Sequence, residues 1–272
     1  MTIELFGEIV SDEDAWLFEL FEIPYKCPKQ VRDAIRKIPA GEDLILEINS
    51  PGGDVYAGFE IYGVLQGCRF PTEAHIIARA ASAASTVMCG CDKVLASPVA
   101  QIMIHQPMAV VDGYVNNDGA KRLLNYLDSI KASILNGYVI KSAGKASRKK
   151  LEQLVDDSTY MPAQDALALG LVDGYLDVDD KAAEAITASS SLRVINSVSI
   201  SPTPGALLAR YEAAVRAGTM DAVPGHPVSI EPSPAQKTSE EAVSLANQTD
   251  ADLLGDWHLM AAIELEKARD VQ

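Results

Sequence analysis

The stretch "EINSPGGDVYAGFEIY", residues 47–62, changes its periodicity half-way. Up to Asn49 the segment "DLILEINS" (43–50) is dense in Leu and Ile, as a buried strand is. After Asp54 the apolar residues Val55, Phe59, Tyr62 and Leu65 fall close to one helical face, and Gly67 stands near its end. Between the two, Pro51 sets a turn that ends the strand, and Gly52-Gly53 admits backbone geometries closed to residues with a Cβ. The helix start carries N–H groups without intrahelical partners, a place where an anion would sit. The plainer reading is a turn that needs glycine for shape alone. A phosphate loop is excluded, because no Gly-Lys-Ser/Thr ending follows.

The alternation continues on both sides. Upstream, "IELFGEIV" (3–10) is a short strand, and "CPKQVRDAIRKI" (27–38) is a helix that Pro28 is placed to start. Downstream come the strand "EAHIIARA" (73–80), a helix of small residues opening at Ser82, and the strands "KVLAS" (93–97) and "AQIMIHQP" (100–107). A long amphipathic helix is predicted over 117–143, with Leu123, Leu127, Ile130 and Ile134 on one face. Ser147 caps a further helix in "SRKKLEQLVDD" (147–157). "PAQDALALG" (162–170) is a short helix closed by Gly170, and "LVDGYLDV" (171–178) returns as a strand. Strands and helices alternating in this way predict an α/β domain with largely parallel pairing, over residues 1–180.

Beyond residue 180 the composition shifts. "TASSSLRVINSVSISPTPG" (187–205) is rich in Ser and Thr and "AVPGHPVSIEPSPAQKTSE" (222–240) in Pro, so residues 181–272 read as a linker-rich, partly disordered tail. Two helices are expected in it, at "ALLARYEAAVRAG" (206–218) and "DADLLGDWHLMAAIELEKARD" (250–270). The balance of 23 basic against 38 acidic residues, a formal charge of −15, argues against nucleic acid as a partner. No basic segment leads into an apolar one at the start, and no run of eighteen apolar residues occurs, so a soluble intracellular protein is expected, with no membrane contact. The four cysteines lack paired metal spacing, and Cys89-Gly-Cys91 is too tight for a zinc knuckle. Reduced structural thiols, no metal and no cofactor are the expectation.

Chemistry concentrates in "ARAASAASTVMCGC" (78–91) and "IMIHQP" (102–107). Ser82 follows a strand and begins a helix whose first N–H groups are unpaired, which suits a nucleophile beside an oxyanion hole. Its bland alternative is a helix cap, with Ala80, Ala81, Ala83 and Ala84 allowing close packing. Ser85, one turn further in, reads as a packing residue, and the G-x-S-x-G elbow is absent. In an alternating strand Ile102 and Ile104 face one way, Met103 and His105 the other. His105 stands at the strand's end, where a parallel sheet presents its functional groups. His75 lies mid-strand, and His226 and His258 lie in the tail. Asp156 and Asp157 end a helix, where paired aspartates are usually solvated.

Together "INSPGG" (48–53), "AAS" (80–82), "MIHQP" (103–107) and "GLVD" (170–173), in this order, resemble the proteolytic subunit of the Clp protease, over about residues 3–178. The resemblance implies a serine peptidase with a Ser-His-Asp triad. The implied fold is a spiral of ββα units, shared with the acyl-CoA hydratases and isomerases and assembled into homo-oligomeric rings. By position Ser82 is the nucleophile, His105 the base, and Gly53 and Ala83 the backbone donors of the oxyanion hole. Counting back from Gly170, the family's aspartate falls on Ser158. Asp157, the adjacent acid, is the expected third member, with Asp156 and the Ser158 position as alternatives.

The tail and the "AASAAS" form of the nucleophile segment (80–85) resemble the Clp-related head maturation proteases of tailed phages and prophages. There the implied substrates are capsid or scaffold proteins, cleaved in the host cytoplasm within the prohead. A housekeeping Clp subunit working with an ATPase, which carries an N-terminal segment not seen before the first strand here, is the alternative. So is a non-catalytic, ring-forming assembly protein. The acyl-CoA hydratase and isomerase chemistry needs neither a Ser nor a His at these places, so Ser82 and His105 together count against it.

Overall fold

The computed structural model describes residues 1–111, 113–187, 202–226 and 228. In chain order its elements are β1 (Thr2–Ile9), α1 (Ala15–Leu20), β2 (Tyr25–Lys26), α2 (Pro28–Ile35), β3 (Leu44–Gly53), α3 (Val55–Gln66), β4 (Thr72–Ala81), α4 (Ala83–Met88), β5 (Lys93–Ala96), β6 (Gln101–Ile104), α5 (Asn117–Ser142), α6 (Arg148–Asp156), β7 (Thr159–Pro162), α7 (Ala163–Ala168), β8 (Gly174–Tyr175), α8 (Asp180–Thr187) and α9 (Pro204–Arg216). The chain divides into two compact units, Met1–Leu207 and Leu208–Gln272. The expected α/β class holds, and the division drawn at residue 180 falls at the first residue of α8.

The strands form one sheet in the order β2-β1-β3-β4-β5-β8, with β6 on β4 and β7 on β6. All these pairings are parallel except β6 with β7, which is antiparallel. Strand β4 splits its partners. Residues 73–76 pair with β5, whereas Arg79, Ala80 and Ala81 pair with β6. The sheet therefore forks along β4, and the branch toward β6 carries the chain from Ala81 into Ser82.

Parallel strands covered on both faces read as near-continuous apolar runs. Leu44, Leu46 and Ile48 of β3 are fully buried, as are Leu5 and Ile9 of β1 and Ile76 of β4. Ile61 of α3, Val87 and Met88 of α4, and Tyr138 of α5 close over them. Each such side chain contributes about 1.5–3 kcal/mol relative to exposure. Helix starts follow the expected chemistry. Pro28 opens α2, and the Ser147 side chain accepts from the Lys150 N–H at the start of α6.

Four local features differ from the sequence reading. Strand β3 does not end before Pro51 but runs through it to Gly53. Pairing with β4 jumps from Ile48↔Ile76 to Ser50↔Ala80, and pairing with β1 from Phe6↔Asn49 to Glu8↔Gly52. Pro51 lies in that irregular stretch, where a missing N–H breaks no regular ladder. Second, residues 159–162 form strand β7, where the sequence reading assigned no strand. Third, the strand expected over 171–178 shrinks to Gly174–Tyr175. Fourth, the apolar stripe of α5 is buried only in its second half. Ile130 and Ile134 are covered, while Leu123 and Leu127 are half-buried and Leu124 and Tyr126 exposed. Helix α1 and strand β2 were not legible at all.

In the second unit Tyr211 ties α9 to the chain that follows it. The Tyr211 hydroxyl donates to the His226 carbonyl (2.7 Å) and accepts from the Val223 N–H (2.9 Å). The helix expected over 250–270 and most of both linkers lie outside the described residues. Among the described residues no helix is long and apolar enough to cross a membrane.

The second half of α5 is anchored by charge as well as by burial. Lys141 Nζ lies 2.6 Å from Asp173 Oδ2 and donates to the Asp92 carbonyl, and the same carboxylate oxygen accepts from the Val94 N–H at 2.7 Å. The Lys141 side chain is only 7% exposed, against 38% for Asp173. Removing the anion leaves a buried ammonium, whereas removing the cation leaves a carboxylate that water reaches. Asp173→Ala is therefore expected to lower stability by about 1–3 kcal/mol, and Lys141→Met by less. Urea midpoints of the two variants check the order.

Candidate active site

Ser82 stands between the end of β4 and the start of α4, with φ 53° and ψ −126°. This region is sparsely populated for a residue with a Cβ, and it costs on the order of 1–3 kcal/mol. The surroundings enforce it. The Ser82 N–H donates to the Met103 carbonyl of β6 (2.9 Å), and its own carbonyl accepts from the Ser85 N–H (2.9 Å). From β3, Gly52 presses against the elbow. A Cβ built there would lie 2.6 Å from the Ala81 carbonyl oxygen and from Ser82 Cβ, and 2.8 Å from the Ala83 nitrogen. With φ +97° as well, position 52 admits only glycine in this arrangement.

The Ser82 side chain makes no cap hydrogen bond to α4. Its Oγ lies instead 2.7 Å from His105 Nε2. The cap reading of Ser82 is thus replaced by a serine–histidine pair. When Nε2 accepts the hydroxyl proton, the ring proton stays on Nδ1. Both residues are half-buried, so the hydroxyl is not sealed into the core. Burial lowers the His105 pKa below the ordinary histidine value, which keeps the imidazole neutral and able to take a proton.

The acid expected at Asp157 is not brought to this pair. Asp157 is exposed at the C-cap of α6, and its carboxylate makes no hydrogen bond to His105. Asp156 is turned elsewhere, accepting from Gln106 Nε2 (2.8 Å) and Lys131 Nζ (3.0 Å). The register explains why. Ile104 pairs with Thr159 across β6 and β7, so the next facing positions are His105 and Ser158. Ser158 has φ 51°, the left-handed residue that turns α6 into β7. The register position opposite His105 thus carries a hydroxyl, and the two aspartates precede it in the chain.

Of the two expected anion donors, Ala83 directly follows Ser82, whereas Gly53 lies against Ile9 of β1, and it is the neighbouring Gly52 that approaches the elbow. Ala83 is the first residue of α4, where an N–H has no intrahelical partner, and Gly53 is the last of β3 with φ +140°. The start of α3 is not open to an anion. Asp54 caps it, accepting from the Ala57 N–H at 2.7 Å. Ser85, read from sequence as packing, is fully buried and donates its hydroxyl proton to the Ser82 carbonyl. No sequence signal marked that bond, because its geometry exists only once the elbow forms. Of the other histidines, His75 contacts Glu73, and within the second unit the His226 carbonyl accepts from the Tyr211 hydroxyl. His258 is outside the described residues.

All four thiols are free. Burial pushes those of Cys89 and Cys91 up to about 12, so they stay protonated and inert. Among the described residues no group of three or more His, Cys, Asp or Glu is arranged to hold a metal ion.

Comparison with known proteins places these features in a family context. The family model of the Clp protease matches residues 35–179. The chain is 31% identical over 158 residues to the ATP-dependent Clp protease proteolytic subunit 1 of Chlamydia muridarum, covering 54% of this chain and 80% of that protein. The proteins of the same name from Chlamydia trachomatis serovar D and Chlamydia abortus match at 31% and 30% identity, with the same coverage.

The electrostatics of the pair fix a pH dependence. His105 is reactive as the neutral base, and desolvation disfavours its protonated form, so the reactive form persists below the ordinary histidine pKa of about 6.5. The rate of Ser82 labelling by a fluorophosphonate is expected to be flat near neutrality and to fall only as pH drops through a midpoint below that value. Labelling rates measured from pH 4 to 8 check this.

Proposed function

Because the chain belongs to the Clp protease family, we propose that it is a serine endopeptidase in which Ser82 and His105 carry the chemistry. The 2.7 Å contact between Ser82 Oγ and His105 Nε2, made by a serine that does not cap its helix, is the observation that supports this reading most directly. Ser82 Oγ attacks the scissile carbonyl while His105 Nε2 takes its proton. The oxyanion is received by the N–H groups of Gly53 and Ala83. His105 then gives the proton to the departing amine, which leaves an acyl ester on Ser82. Water, deprotonated by the same imidazole, releases the second product.

The finer reading is a head maturation protease acting on capsid or scaffold proteins. The "AASAAS" segment and the long region after residue 180 support it. A second reading has its own support: the relatives named above are called ATP-dependent, which favours a subunit that works with an ATPase. Either form is a homo-oligomeric ring. In favour stand the exposed side chains of Val110, Tyr114, Leu124 and Tyr126, an apolar surface that a lone chain leaves in water.

Co-expression with the capsid and scaffold proteins of the same genome, followed by mass spectrometry of the products, tests both readings. Discrete cleavage without an ATPase is expected, with a loss on the order of 10⁴-fold in Ser82→Ala. Cleavage that appears only with an ATPase and nucleotide replaces the first reading by the second, and unchanged cleavage in Ser82→Ala overturns the nucleophile.

The facing of His105 and Ser158 yields a further expectation. A carboxylate at position 158 favours the imidazolium that forms as Ser82 attacks, and aspartate tolerates the left-handed backbone there. Ser158→Asp is expected to raise kcat by about tenfold or more and to move the acid limb of the pH profile upward. Asp157→Asn is expected to leave both within about twofold. Steady-state kinetics on a short peptide across pH checks the pair.

A further inference from the structure

We propose that Tyr138 and Ser85 are positioning residues for the nucleophile elbow, forming a buried hydrogen-bond relay from α5 to the Ser82 carbonyl that aims the Ala83 N–H into the site. The inference rests on the reading of Ser82 as nucleophile and of the Ala83 N–H as an oxyanion donor.

The relay is built from two side chains with no access to water. Ser85 is 0% exposed and Tyr138 is 1% exposed. Ser85 Oγ donates to the Ser82 carbonyl at 2.5 Å and lies 2.7 Å from the Tyr138 hydroxyl. A serine hydroxyl has one proton, and that proton goes to the carbonyl, so Tyr138 is the donor in the second bond. Burial pushes the Tyr138 phenol well above its ordinary pKa, which keeps it protonated as this direction requires. The order is Tyr138 O–H to Ser85 Oγ, and Ser85 Oγ–H to the Ser82 carbonyl, each bond polarising the next.

What the relay controls follows from peptide geometry. The Ser82 carbonyl and the Ala83 N–H belong to one planar trans peptide and point in opposite directions. Drawing the carbonyl into the core toward Ser85 and Tyr138 therefore turns the Ala83 N–H outward, on the side where Gly52 approaches the Ala83 nitrogen. The same carbonyl also accepts from the Ser85 N–H, so two donors of one residue hold it. Without the side-chain donor, a strained peptide at φ 53° is held by the Ser85 N–H alone, and any rotation of it turns the anion donor with it. A packing role alone needs no hydroxyl at position 85 and no phenol at position 138. Alanine and phenylalanine would fill both places at lower desolvation cost.

The test uses Tyr138→Phe and Ser85→Ala in the full chain, assayed on a short ester or peptide substrate. An anion donor acts in the transition state more than in the ground state, so kcat is expected to fall by about 10- to 100-fold with KM within about twofold. The double variant is expected to be no slower than Ser85→Ala alone, since both changes cut one chain. Tyr138→Phe keeps the ring volume, so it decides the matter if Ser85→Ala does not fold. Unchanged kcat in Tyr138→Phe, or losses that multiply in the double variant, overturn the relay. Mapping the fluorophosphonate adduct separates the underlying reading. An adduct on Ser82 in the parent and in both variants keeps the nucleophile, whereas an adduct on Ser85 in the parent overturns the nucleophile and the relay together.

Discussion

The left-handed backbone of Ser82 is the constraint on which the site depends. A residue with a Cβ at φ 53° is held there against about 1–3 kcal/mol, and three elements share the holding. Strand β6 takes its N–H through Met103, helix α4 supplies two donors to its carbonyl through Ser85, and His105, just beyond β6, meets its hydroxyl. Strand β3 adds steric closure, because Gly52 reaches the elbow at a distance no other residue allows. Every polar atom of Ser82 is therefore committed. A serine used only as a cap would have turned its hydroxyl onto α4, whereas this one meets His105.

The fork in the sheet makes this arrangement possible. A strand with one parallel neighbour along its whole length would carry β5 up to Ala81 and leave no place for β6. Instead β5 is abandoned after Ala96, and β6 takes over opposite Arg79, Ala80 and Ala81. The change of partner lies next to the irregular stretch of β3, where β4 spends four residues against two of its neighbour. The extra residues expose Ile77 and turn the end of β4 away from the first half of the sheet. Nucleophile and base thus arrive on neighbouring strand ends, and a 23-residue separation in sequence becomes one hydrogen bond.

Much of this was legible in the sequence, for identifiable reasons. Apolar runs marked β3 and β4, and Pro28 and Ser147 marked helix starts, because these signals are local. Ser82 and His105 were legible because each follows a strand end. Strand β7 was hidden: four residues ending in Pro162 look like a turn, and only pairing with β6 makes them a strand. The run through Pro51 was hidden by the same kind of dependence, since proline enters a strand only where its neighbours have already slipped register. Asp157 was a misplacement by one residue. On a helix end one residue is about 100° of rotation, enough to turn a carboxylate from the imidazole to solvent.

Among the described residues no carboxylate bonds to His105, and this bears on how the pair works. A carboxylate 4 Å from an imidazolium contributes about 4 kcal/mol at an effective dielectric of 20, comparable to the 10⁴-fold loss seen when a triad acid is made neutral. In the proposed reaction His105 forms its imidazolium without such a partner among the described residues, and in a half-buried place that already disfavours charge. The transition state is then stabilised mostly at the other end, where negative charge gathers on the substrate oxygen and backbone donors receive it. The aim of those donors matters more in such a site than in one with a full triad. A buried relay that fixes the Ser82 peptide is placed where it acts on the larger remaining contribution.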